Sequence, residues 1–415
     1  MAETFLADLH VHSYHSLATS RECCLEGLQR GAQLKGVALV ATGDCTHPGW
    51  LAELMEKLEP AAPGLFRLRP ELAAVVDAEV PPSCRAPVQF MLSTEISSIW
   101  KQDGRTRKVH SLIYFPELAA AAAMSERLGK HAKIENNGRP TTHLTPRELL
   151  AMALECHPAS LLIPAHIWTP WFSLFGANSG FDRLEDCFGD LSGEICAVET
   201  GLSSDPPMNW RWSALDRLVL VSNSDLHSPG GLARNATRFR GEPDYYRLRN
   251  GLRAKDPAVC AGTLDMFPEE GKYHHDGHRK CGVVLTPEEA IATKNLCPVC
   301  GKPLTFGVLH RIAELADRPV GTVPANALPC EHILPLQELL AESLQLKPVS
   351  PKVAAMQAEL LRRFGNEDFI LRRLDSAELD RCGRQNLARA IRNVRAGQVR
   401  RQPGYDGVYG EIKAL

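Results

Sequence analysis

The sequence has no long apolar run, no bias in charge and few aromatic residues. A membrane-spanning helix needs about 18 consecutive apolar residues, and none of the hydrophobic runs in this sequence is that long. Its first residues lack the basic and apolar regions of an export signal. The 47 lysines and arginines nearly balance the 49 aspartates and glutamates, for a formal net charge of −2, so any nucleic-acid surface must be local. We expect a cytoplasmic protein with no membrane partner.

The cysteine content also argues against disulfide bonds. Thirteen cysteines are an odd number, and in a chain without an export signal they favour reduced thiols and a metal site over disulfides. Hydrophobic content of 44% and charged content of 23% are those of a globular protein. At 415 residues the chain exceeds the about 250–300 residues of one hydrophobic core, so we expect two or three domains.

Seven apolar runs rich in strand-forming residues occupy the first part of the chain, and helical patterns lie between several of them. The runs are 5–12, 37–44, 88–96, 109–115, 160–166, 194–200 and 217–225. Their alternation with helices predicts an α/β fold with a largely parallel sheet or barrel. Thr145 followed by Pro146 predicts the start of one helix. The composition changes after residue 240, and helical periodicity runs from about 336. We expect domains at 1–240, 241–310 and 311–415.

Residue types that bind metals stand near the ends of most predicted strands. Residues two apart in a strand share a face, so Asp8, His10 and His12 would converge, and Asp225 and His227 repeat this spacing. The candidate metal ligands are His10, His12, Asp44, His47, Glu95, His110, His166, Asp225 and His227, and Glu199 is a further candidate acid. Each has an ordinary explanation alone, but in parallel α/β barrels the strand ends share one rim. Imidazoles mixed with carboxylates suit Zn²⁺, Mn²⁺ or Fe²⁺ better than Ca²⁺.

Taken in order, these residues resemble the motifs of the polymerase and histidinol phosphatase (PHP) phosphoesterases over roughly the first 240 residues. Longer stretches, together with a cysteine segment, are similar to the endonuclease Q family over nearly the whole chain. These stretches are TGDCTHPGW (42–50), HIWTPWFSLFGANSGFD (166–182), ETGLSSDPPMNWR (199–211), KYHHDGHRKC (272–281) and PGYDGVYGEI (403–412). The resemblance implies a distorted seven-stranded (β/α) barrel with a cluster of two or three divalent metals (Zn, Mn, Mg or Fe), joined to a zinc module and a helical region.

The resemblance also implies a chemistry and a substrate. The expected reaction is metal-assisted hydrolysis of double-stranded DNA on the 5′ side of a deaminated base (uracil, hypoxanthine or xanthine) or an abasic site. Glu95 is the expected metal bridge, and the expected catalytic acids are Glu95, Asp225, Asp44 and Glu199. Asp44 and His47 are separated by two residues, where the PHP family often has an adjacent pair, so which of them binds metal stays open. His15 is either a third-metal ligand or a hydrogen-bonding residue.

A second metal site is predicted by cysteine spacing. His278-x-x-Cys281 is followed after fifteen residues by Cys297-x-x-Cys300, which is close to a two-plus-two structural zinc spacing. The fourth ligand could instead be His274, His275 or Cys260. Scattered buried thiols are the weaker alternative. A closed site of this kind would stabilise a small module around one structural zinc.

Two features suggest contact with DNA. From Arg381 to Arg401 there are seven arginines and no lysine, aspartate or glutamate, which suits bidentate phosphate contacts. Solubility or an anionic protein partner is the alternative. A second basic stretch lies at 233–253. Within the segment from Arg381 to Arg401, we expect DNA contacts by Arg384, Arg389, Arg392 and Arg395.

The aromatic stretch after His166 is the second feature. Trp168, Phe175 and Phe181 are expected mainly in the core, whereas Trp171 and Phe172 are candidates for stacking on an extruded base. Ser179 is a candidate for the base pocket.

Two other functions fit parts of the sequence. A small-molecule PHP phosphatase, such as a histidinol-phosphatase-like enzyme, would not need the zinc module or the arginine-rich segment. A DNA-binding scaffold with purely structural metals would retain DNA without cutting it. As partners of the endonuclease we expect duplex DNA with a damaged base and, as a further candidate, a sliding clamp, with the protein itself a monomer.

Overall fold

The chain begins with strands and ends with helices. The structure, a computed structural model, describes residues 3–415. Its strands are β1 (Thr4–Asp8), β2 (Val37–Ala41), β3 (Leu58–Pro60), β4 (Phe66–Leu68), β5 (Gln89–Gln102), β6 (Arg105–Phe115), β7 (Thr141–Thr142), β8 (Leu161–Pro164), β9 (Ala197–Glu199), β10 (Val219–Val221), β11 (Ala236–Arg240), β12 (Cys260–Asp265), β13 (Asp276–His278), β14 (Val283–Leu285), β15 (Cys330–His332), β16 (Arg400–Gln402) and β17 (Glu411–Lys413). Each of the seven predicted runs overlaps one of these strands, and β1, β5 and β6 extend beyond their runs.

Helices cover the outside of the sheet and form the C-terminal region. They are α1 (Leu25–Lys35), α2 (Pro48–Lys57), α3 (Pro70–Glu79), α4 (Leu118–Leu128), α5 (Pro146–Cys156), α6 (Leu184–Phe188), α7 (Pro206–Asn209), α8 (Tyr245–Ala254), α9 (Pro287–Ala292), α10 (Val308–Leu315), α11 (Leu336–Leu344), α12 (Pro351–Phe364), α13 (Ser376–Arg381) and α14 (Gln385–Arg395), with a π-helical turn at Phe369–Arg373. Helix α5 begins as predicted: Thr145 caps it in a reciprocal pair of hydrogen bonds with Glu148. The mixed α/β class is confirmed.

The largest sheet combines parallel and antiparallel neighbours. Its order is β15-β12-β11-β1-β2-β5-β4-β3, and β6, β7 and β8 extend it from β5. Strands β1, β2 and β5 are parallel, whereas β11 is antiparallel to β1 and β6 is antiparallel to β5 and β8. Strands β9 and β10 form a separate parallel pair.

The antiparallel β5–β6 hairpin departs from the expected parallel order, and its turn explains why. Asp103 and Gly104 connect the two strands, with φ angles of 51° and 74°. Two left-handed residues in a two-residue loop match the twist of the flanking strands, and Asp-Gly is a favoured pair for this turn. The dipeptide was therefore a readable signal for a hairpin. The hairpin carries Glu95 and His110 on neighbouring strands.

The main sheet continues beyond residue 240, the expected end of the first domain. Strand β12 pairs with β11, and β15 pairs in parallel with β12. Between them lies a small unit with the β13–β14 hairpin and α9, whose apolar cluster contains only Ala290, Cys297 and Leu304 as buried members. The C-terminal helices are tied to α1 by Lys35, which pairs with Glu367 at 2.9 Å. Within residues 3–415, no helix combines the length and the hydrophobicity needed to cross a bilayer.

Candidate metal centre

The segment that contains His10 and His12 lies beside the segment that contains Asp225. His10 and His12 follow β1, and a parallel bridge joins Val11 to Leu226. The amide of His12 donates to the carbonyl of Leu226 at 3.0 Å, and the amide of Leu226 donates to the carbonyl of His10 at 3.2 Å. This pairing places Asp225 next to the two imidazoles, although more than two hundred residues separate them in the sequence.

The first group of candidate ligands consists of His10, His12, Glu95 and Asp225, whose ligand atoms all lie within 4.8 Å of one another. Oε2 of Glu95 lies 3.2 Å from Nε2 of His12 and 3.5 Å from Nε2 of His10. Oδ1 of Asp225 lies 3.3 Å and 3.5 Å from the same two nitrogens. Two imidazoles and two carboxylates facing one point are a ligand set suited to a divalent transition metal.

Glu95 also belongs to a second group, with His110 and His166. Its other oxygen, Oε1, lies 2.7 Å from Nδ1 of His110 and 3.3 Å from Nε2 of His166. Glu95 is buried on β5, and its neighbour across the hairpin is Leu112. One carboxylate can thus bridge two adjacent metal positions.

The hydrogen bonding of the first group fits a cation. Nε2 of His10, Nε2 of His12 and Oδ1 of Asp225 are buried and have no hydrogen-bond partner. Buried polar atoms in proteins are nearly always paired, so three orphan atoms that face one another need an explanation. A divalent cation would satisfy all three.

Burial and the neighbouring carboxylates set the protonation of these histidines without metal. Burial opposes protonation of His10, but the charges of Glu199, Asp225 and Glu95 outweigh it and raise the pKa of His10 well above its usual value. Burial likewise opposes protonation of His12, but the neighbouring carboxylates of Asp225, Asp44 and Glu95 outweigh it and raise its pKa well above the usual value. Metal binding must therefore displace protons from these ligands.

Glu199 and Asp44 lie behind the ligands and orient them, whereas the sequence placed them among the catalytic acids or ligands. Nδ1 of His10 lies 3.0 Å from both oxygens of Glu199. Nδ1 of His12 lies 3.2 Å from Oδ1 of Asp44, whose other oxygen accepts from the amide and hydroxyl of Ser13. Each acid fixes the ring so that Nε2 faces the metal position. Neither acid belongs to the two ligand groups.

Three other candidate histidines lie beside the centre, outside both groups. His47 caps α2 by accepting from the amide of Trp50 at 3.3 Å, and its ring stacks on His15 at 4.1 Å. Nε2 of His15 lies 3.5 Å from Glu53. His227 turns Nδ1 to the carbonyl of Asp225 at 2.9 Å. Nε2 of His15 has no hydrogen-bond partner within residues 3–415, and the metal-binding roles predicted for these three histidines stay predictions.

Strained backbone supports several residues of the centre. Asp44, His166 and Asp225 have φ angles of 48°, 28° and 48°, in the region that non-glycine residues rarely adopt. They lie three, two and four residues after the ends of β2, β8 and β10. Such strain clusters where a structure must aim a side chain at a site.

Two residues of the centre were not identified from sequence. Asn223 donates to Oε1 of Glu199 at 2.8 Å and accepts from the amide of Leu9 at 2.9 Å. Nη1 of Arg139 lies 3.2 Å from Oε2 of Glu95. Asn223 stands two residues before Asp225, which was a usable signal. Arg139 lies in a loop with no periodic pattern, so the sequence held no signal for it.

The aromatic segment divides much as expected. Trp168, Phe175 and Phe181 are buried. Trp171 is 51% exposed, and the ring of Phe172 lies 4.8 Å from the ring of His110. The segment therefore places the ring of Phe172 next to the second ligand group, with the exposed Trp171 as its neighbour in the chain.

A lysine and a serine accompany the two rings. The ammonium of Lys108 lies 5.0 Å from the ring centres of both Trp171 and Phe172. Ser179 is buried, accepts from the amide of Phe172 at 3.2 Å and donates to the carbonyl of Lys108 at 3.2 Å. Its hydroxyl is thus used to hold the segment against β6.

The cysteine segment forms a third possible metal site, remote in sequence from the first two. His278, Cys281, Cys297 and Cys300 bring their ligand atoms within 4.8 Å of one another, and Sγ of Cys300 lies 3.5 Å from Nδ1 of His278. The alternative fourth ligands His274, His275 and Cys260 do not belong to this group.

The C-terminal arginines have acidic partners that their own segment lacks. Arg384 pairs with Glu359 and Arg392 with Asp380. Arg395 donates to the carbonyls of Ile370, Leu371 and Leu374. Arg389 is exposed and forms no ion pair with any residue of 3–415. Folding thus gives an acidic partner to four of the seven arginines, Arg381, Arg384, Arg392 and Arg401, and within residues 3–415 Arg389, Arg395 and Arg400 have none.

The chain was compared with known proteins. No protein-family model matches it. It is 27% identical over 428 aligned positions to the uncharacterized protein YqxK of Bacillus subtilis, covering 98% of each chain. It is 30% identical over 253 positions to an uncharacterized protein of Methanocaldococcus jannaschii, covering 59% of this chain and 31% of that protein.

Two crystal structures match nearly the whole chain. The lesion-specific endonuclease PfuEndoQ from Pyrococcus furiosus has a TM-score of 0.84 at 30% identity, covering 99% of this chain and 95% of that one. Endonuclease Q bound to a 27-mer duplex with an abasic lesion at the active site has a TM-score of 0.82 at 31% identity, covering 99% and 96%. Since sequence and fold agree from end to end, the chain belongs to the endonuclease Q family.

Proposed function

We propose that this protein is a metal-dependent DNA repair endonuclease that hydrolyses the phosphodiester on the 5′ side of a deaminated base or an abasic site. The observation that carries the proposal is the position of Glu95, whose two oxygens face two adjacent groups of histidines. Support for the substrate comes from the related endonuclease Q, which holds a duplex with an abasic lesion at its active site.

Divalent ions bound at two such positions supply Lewis-acid chemistry, since they activate water and neutralise charge on a phosphodiester. In the reaction, a water oxygen bonds to phosphorus and the bond from phosphorus to the 3′ oxygen breaks. The 3′ oxygen takes up a proton, and the products are a 3′-hydroxyl and a 5′-phosphate. The proposed ligands are His10, His12, Glu95 and Asp225 for one ion, and Glu95, His110 and His166 for the other.

The residues behind the ligands keep the site in one geometry. Glu199 receives hydrogen bonds from His10, from Asn223 and from the amide of His166 at 2.8 Å. This single buried carboxylate therefore links ligands of both groups. Fixed ligands are pre-oriented for the reaction, so little reorganisation is required when substrate binds.

We infer that the exposed ring of Trp171 and the ring of Phe172 contact the damaged nucleotide. The ring of Phe172 lies beside His110, where a nucleotide next to the cleaved phosphate would reach, and the ammonium of Lys108 lies 5.0 Å from the rings of both Phe172 and Trp171. Stacking on an aromatic ring is tolerant of the base, and a weakly paired nucleotide is cheaper to extrude. Ser179 supports this segment through its hydrogen bonds.

The remaining parts of the proposal concern architecture. We infer a distorted seven-stranded PHP barrel built mainly from residues 1–240, whose sheet β12 and β15 extend, a module stabilised by one zinc within 241–310, and a helical DNA-binding region within 311–415. The group formed by His278, Cys281, Cys297 and Cys300 supports the zinc. Exposed Arg389 is the best supported phosphate contact of the last region, ahead of Arg384, Arg392 and Arg395.

The test uses the purified full chain with Mn²⁺, Mg²⁺ or Zn²⁺ and labelled duplexes that carry uracil, hypoxanthine, an abasic site or no lesion. We expect a nick on the 5′ side of each lesion and no cut in the undamaged duplex. Asp225→Asn should abolish nicking, because it weakens the first ligand group. Glu194→Gln, a surface acid paired with Arg253, is the matched control and should cut like wild type.

Each rival function predicts another outcome. Equal cleavage of all four duplexes contradicts lesion repair but keeps the nuclease. Hydrolysis of histidinol phosphate without any DNA nick favours the small-molecule phosphatase. DNA retention with no cleavage under any metal favours the scaffold.

A further inference from the structure

A short loop runs along the metal centre and is held there at its start and middle. In this stretch, residues 135–140 (hereafter the 135–140 loop), the carbonyl of Glu135 accepts from Nε2 of His47 at 3.1 Å. The amide of Gly138 donates to the carbonyl of His15 at 3.0 Å. A Cβ at Gly138 would lie 2.2 Å from Oδ2 of Asp44. Only glycine allows this approach of the backbone to the centre.

The end of the loop is fixed by the sheet. Strand β7 begins directly after the loop and pairs in parallel with β5 at Ser97, and the amide of Ser97 donates to the carbonyl of Pro140 at 2.9 Å. Ser97 stands two residues after Glu95 on the same face of β5. Arg139 is therefore delivered to Glu95 by backbone pairing.

Arg139 occupies an unusual position for a cation. Its Nη1 lies 3.2 Å from Oε2 of Glu95, the oxygen that also lies 3.2 Å from Nε2 of His12. Within residues 3–415 it is the one arginine or lysine that pairs with a carboxylate of the two ligand groups. Its side chain is 31% exposed. This contact is the guanidinium's one hydrogen bond to a described residue, whereas a guanidinium has five donors.

The positive charge of Arg139 suits one of two roles, holding a metal or binding the substrate, far better than the other. A positive charge beside two cation positions opposes metal binding, so Arg139 is poorly suited to holding metals. A phosphate anion is attracted by the cations and by the guanidinium alike, and the planar guanidinium fork matches phosphate oxygens. The free donors of Arg139 therefore suit the substrate.

We propose that Arg139 binds a non-bridging oxygen of the phosphodiester that is hydrolysed and stabilises the negative charge that develops on it. The inference rests on the proposed function. Arg139 keeps its proton throughout: water supplies the oxygen that bonds to phosphorus, and the 3′ oxygen is the leaving group.

The test compares Arg139→Gln and Arg139→Lys with the control Arg30→Gln. The control removes another arginine–glutamate pair, to Glu79 at 2.8 Å, which contains no residue of the metal centre. For each variant we would measure kcat and KM on a lesion duplex and on bis(4-nitrophenyl) phosphate, and bound metal per chain by mass spectrometry. We expect Arg139→Gln to lower kcat by about 10²–10³-fold, as loss of one oxyanion donor does. Its metal content should equal that of wild type, and Arg139→Lys should recover part of the loss.

A second measurement asks whether Arg139 touches the phosphate. Duplexes with sulfur in place of one non-bridging oxygen, as separated diastereomers, report contacts to that oxygen. We expect one diastereomer to be cut more slowly by wild type, and this difference to shrink in Arg139→Gln. An undiminished difference overturns the proposal. So does wild-type kcat, or a loss of activity in proportion to lost metal.

Failure of this proposal can be told from failure of the proposed function. If wild type hydrolyses bis(4-nitrophenyl) phosphate but cuts no DNA, the proposed endonuclease function is wrong. The role of Arg139 is then tested by the kcat of Arg139→Gln on bis(4-nitrophenyl) phosphate. If wild type cuts lesion DNA and Arg139→Gln does so equally well, only the role of Arg139 fails. If wild type hydrolyses neither substrate, both fail.

Discussion

Glu199 directs His10, since both oxygens of the carboxylate lie 3.0 Å from Nδ1 of the imidazole. Removing a residue that orients a metal ligand typically costs about 10–100-fold in metal affinity or activity. We therefore expect Glu199→Gln to weaken metal binding by about 10–100-fold, because an amide is a poorer acceptor and leaves His10 less well oriented. Titration of the metal-free protein with Mn²⁺ measures this. Metal affinity equal to that of wild type would show that Glu199 has no orienting role.

Burial raises the pKa of Asp265 to about 7, against the hydrogen bond from Thr263 that lowers it. The folded state thus holds a proton that the unfolded state releases near pH 4, so the contribution of Asp265 to stability is greatest below pH 4 and falls as pH rises toward 7. We expect Asp265→Asn to remove this loss, raising the free energy of unfolding at pH 8 by roughly 2–4 kcal/mol relative to wild type.

Urea unfolding of both proteins from pH 4 to pH 8 isolates this effect, since other titrating groups cancel in the comparison. A constant difference between the two proteins across this range would contradict the buried neutral Asp265.

Cys297 belongs to the group with His278, Cys281 and Cys300, and the small unit around it has few buried apolar residues. Such units depend on their metal for folding. We expect Cys297→Ser to lose one zinc per chain and to make residues 276–305 sensitive to protease. Metal analysis and limited proteolysis measure the two effects.

Cys260→Ala tests the alternative fourth ligand. Cys260 is buried in β12, and this variant should retain the zinc. Loss of zinc from Cys260→Ala would assign the fourth ligand to Cys260 instead of His278.

Substitution of Arg395 should lower the stability of the protein, whereas substitution of Arg389 should weaken DNA binding. Arg395 donates to three backbone carbonyls at 2.7–3.1 Å, and hydrogen bonds to charged groups contribute about 1.5–3 kcal/mol. We expect Arg395→Ala to lower the free energy of unfolding by about 1.5–3 kcal/mol. Arg389→Ala should leave stability unchanged but weaken duplex binding and reduce its salt dependence by about one ion.

Urea unfolding and duplex titrations at several salt concentrations measure both variants. If Arg389→Ala binds duplexes with the affinity and salt dependence of wild type, the exposed face of α14 does not contact phosphate.

Short-range patterns in the sequence predicted much of this protein. The seven apolar runs, the cap at Thr145 and the helices after residue 336 depend on neighbours a few residues apart. The approach of His10 to His12 and the approach of Cys297 to Cys300 also depend on such short spacings. Local geometry decides these features, because strand periodicity and turn dimensions act within one segment.

The tertiary structure decided which residues of the centre face the metal positions and which support the ligands from behind. Sequence proximity could not show that Glu95 reaches both groups while Asp44 and Glu199 support the rings from behind. It also could not show that Arg139 meets Glu95, or that Arg384 and Arg392 find acids outside their own segment. These contacts join residues whose distance along the chain is bridged only by strand pairing and helix packing. The sequence alone determined which chemical groups this protein can bring to a metal, and only folding decided which of them face it.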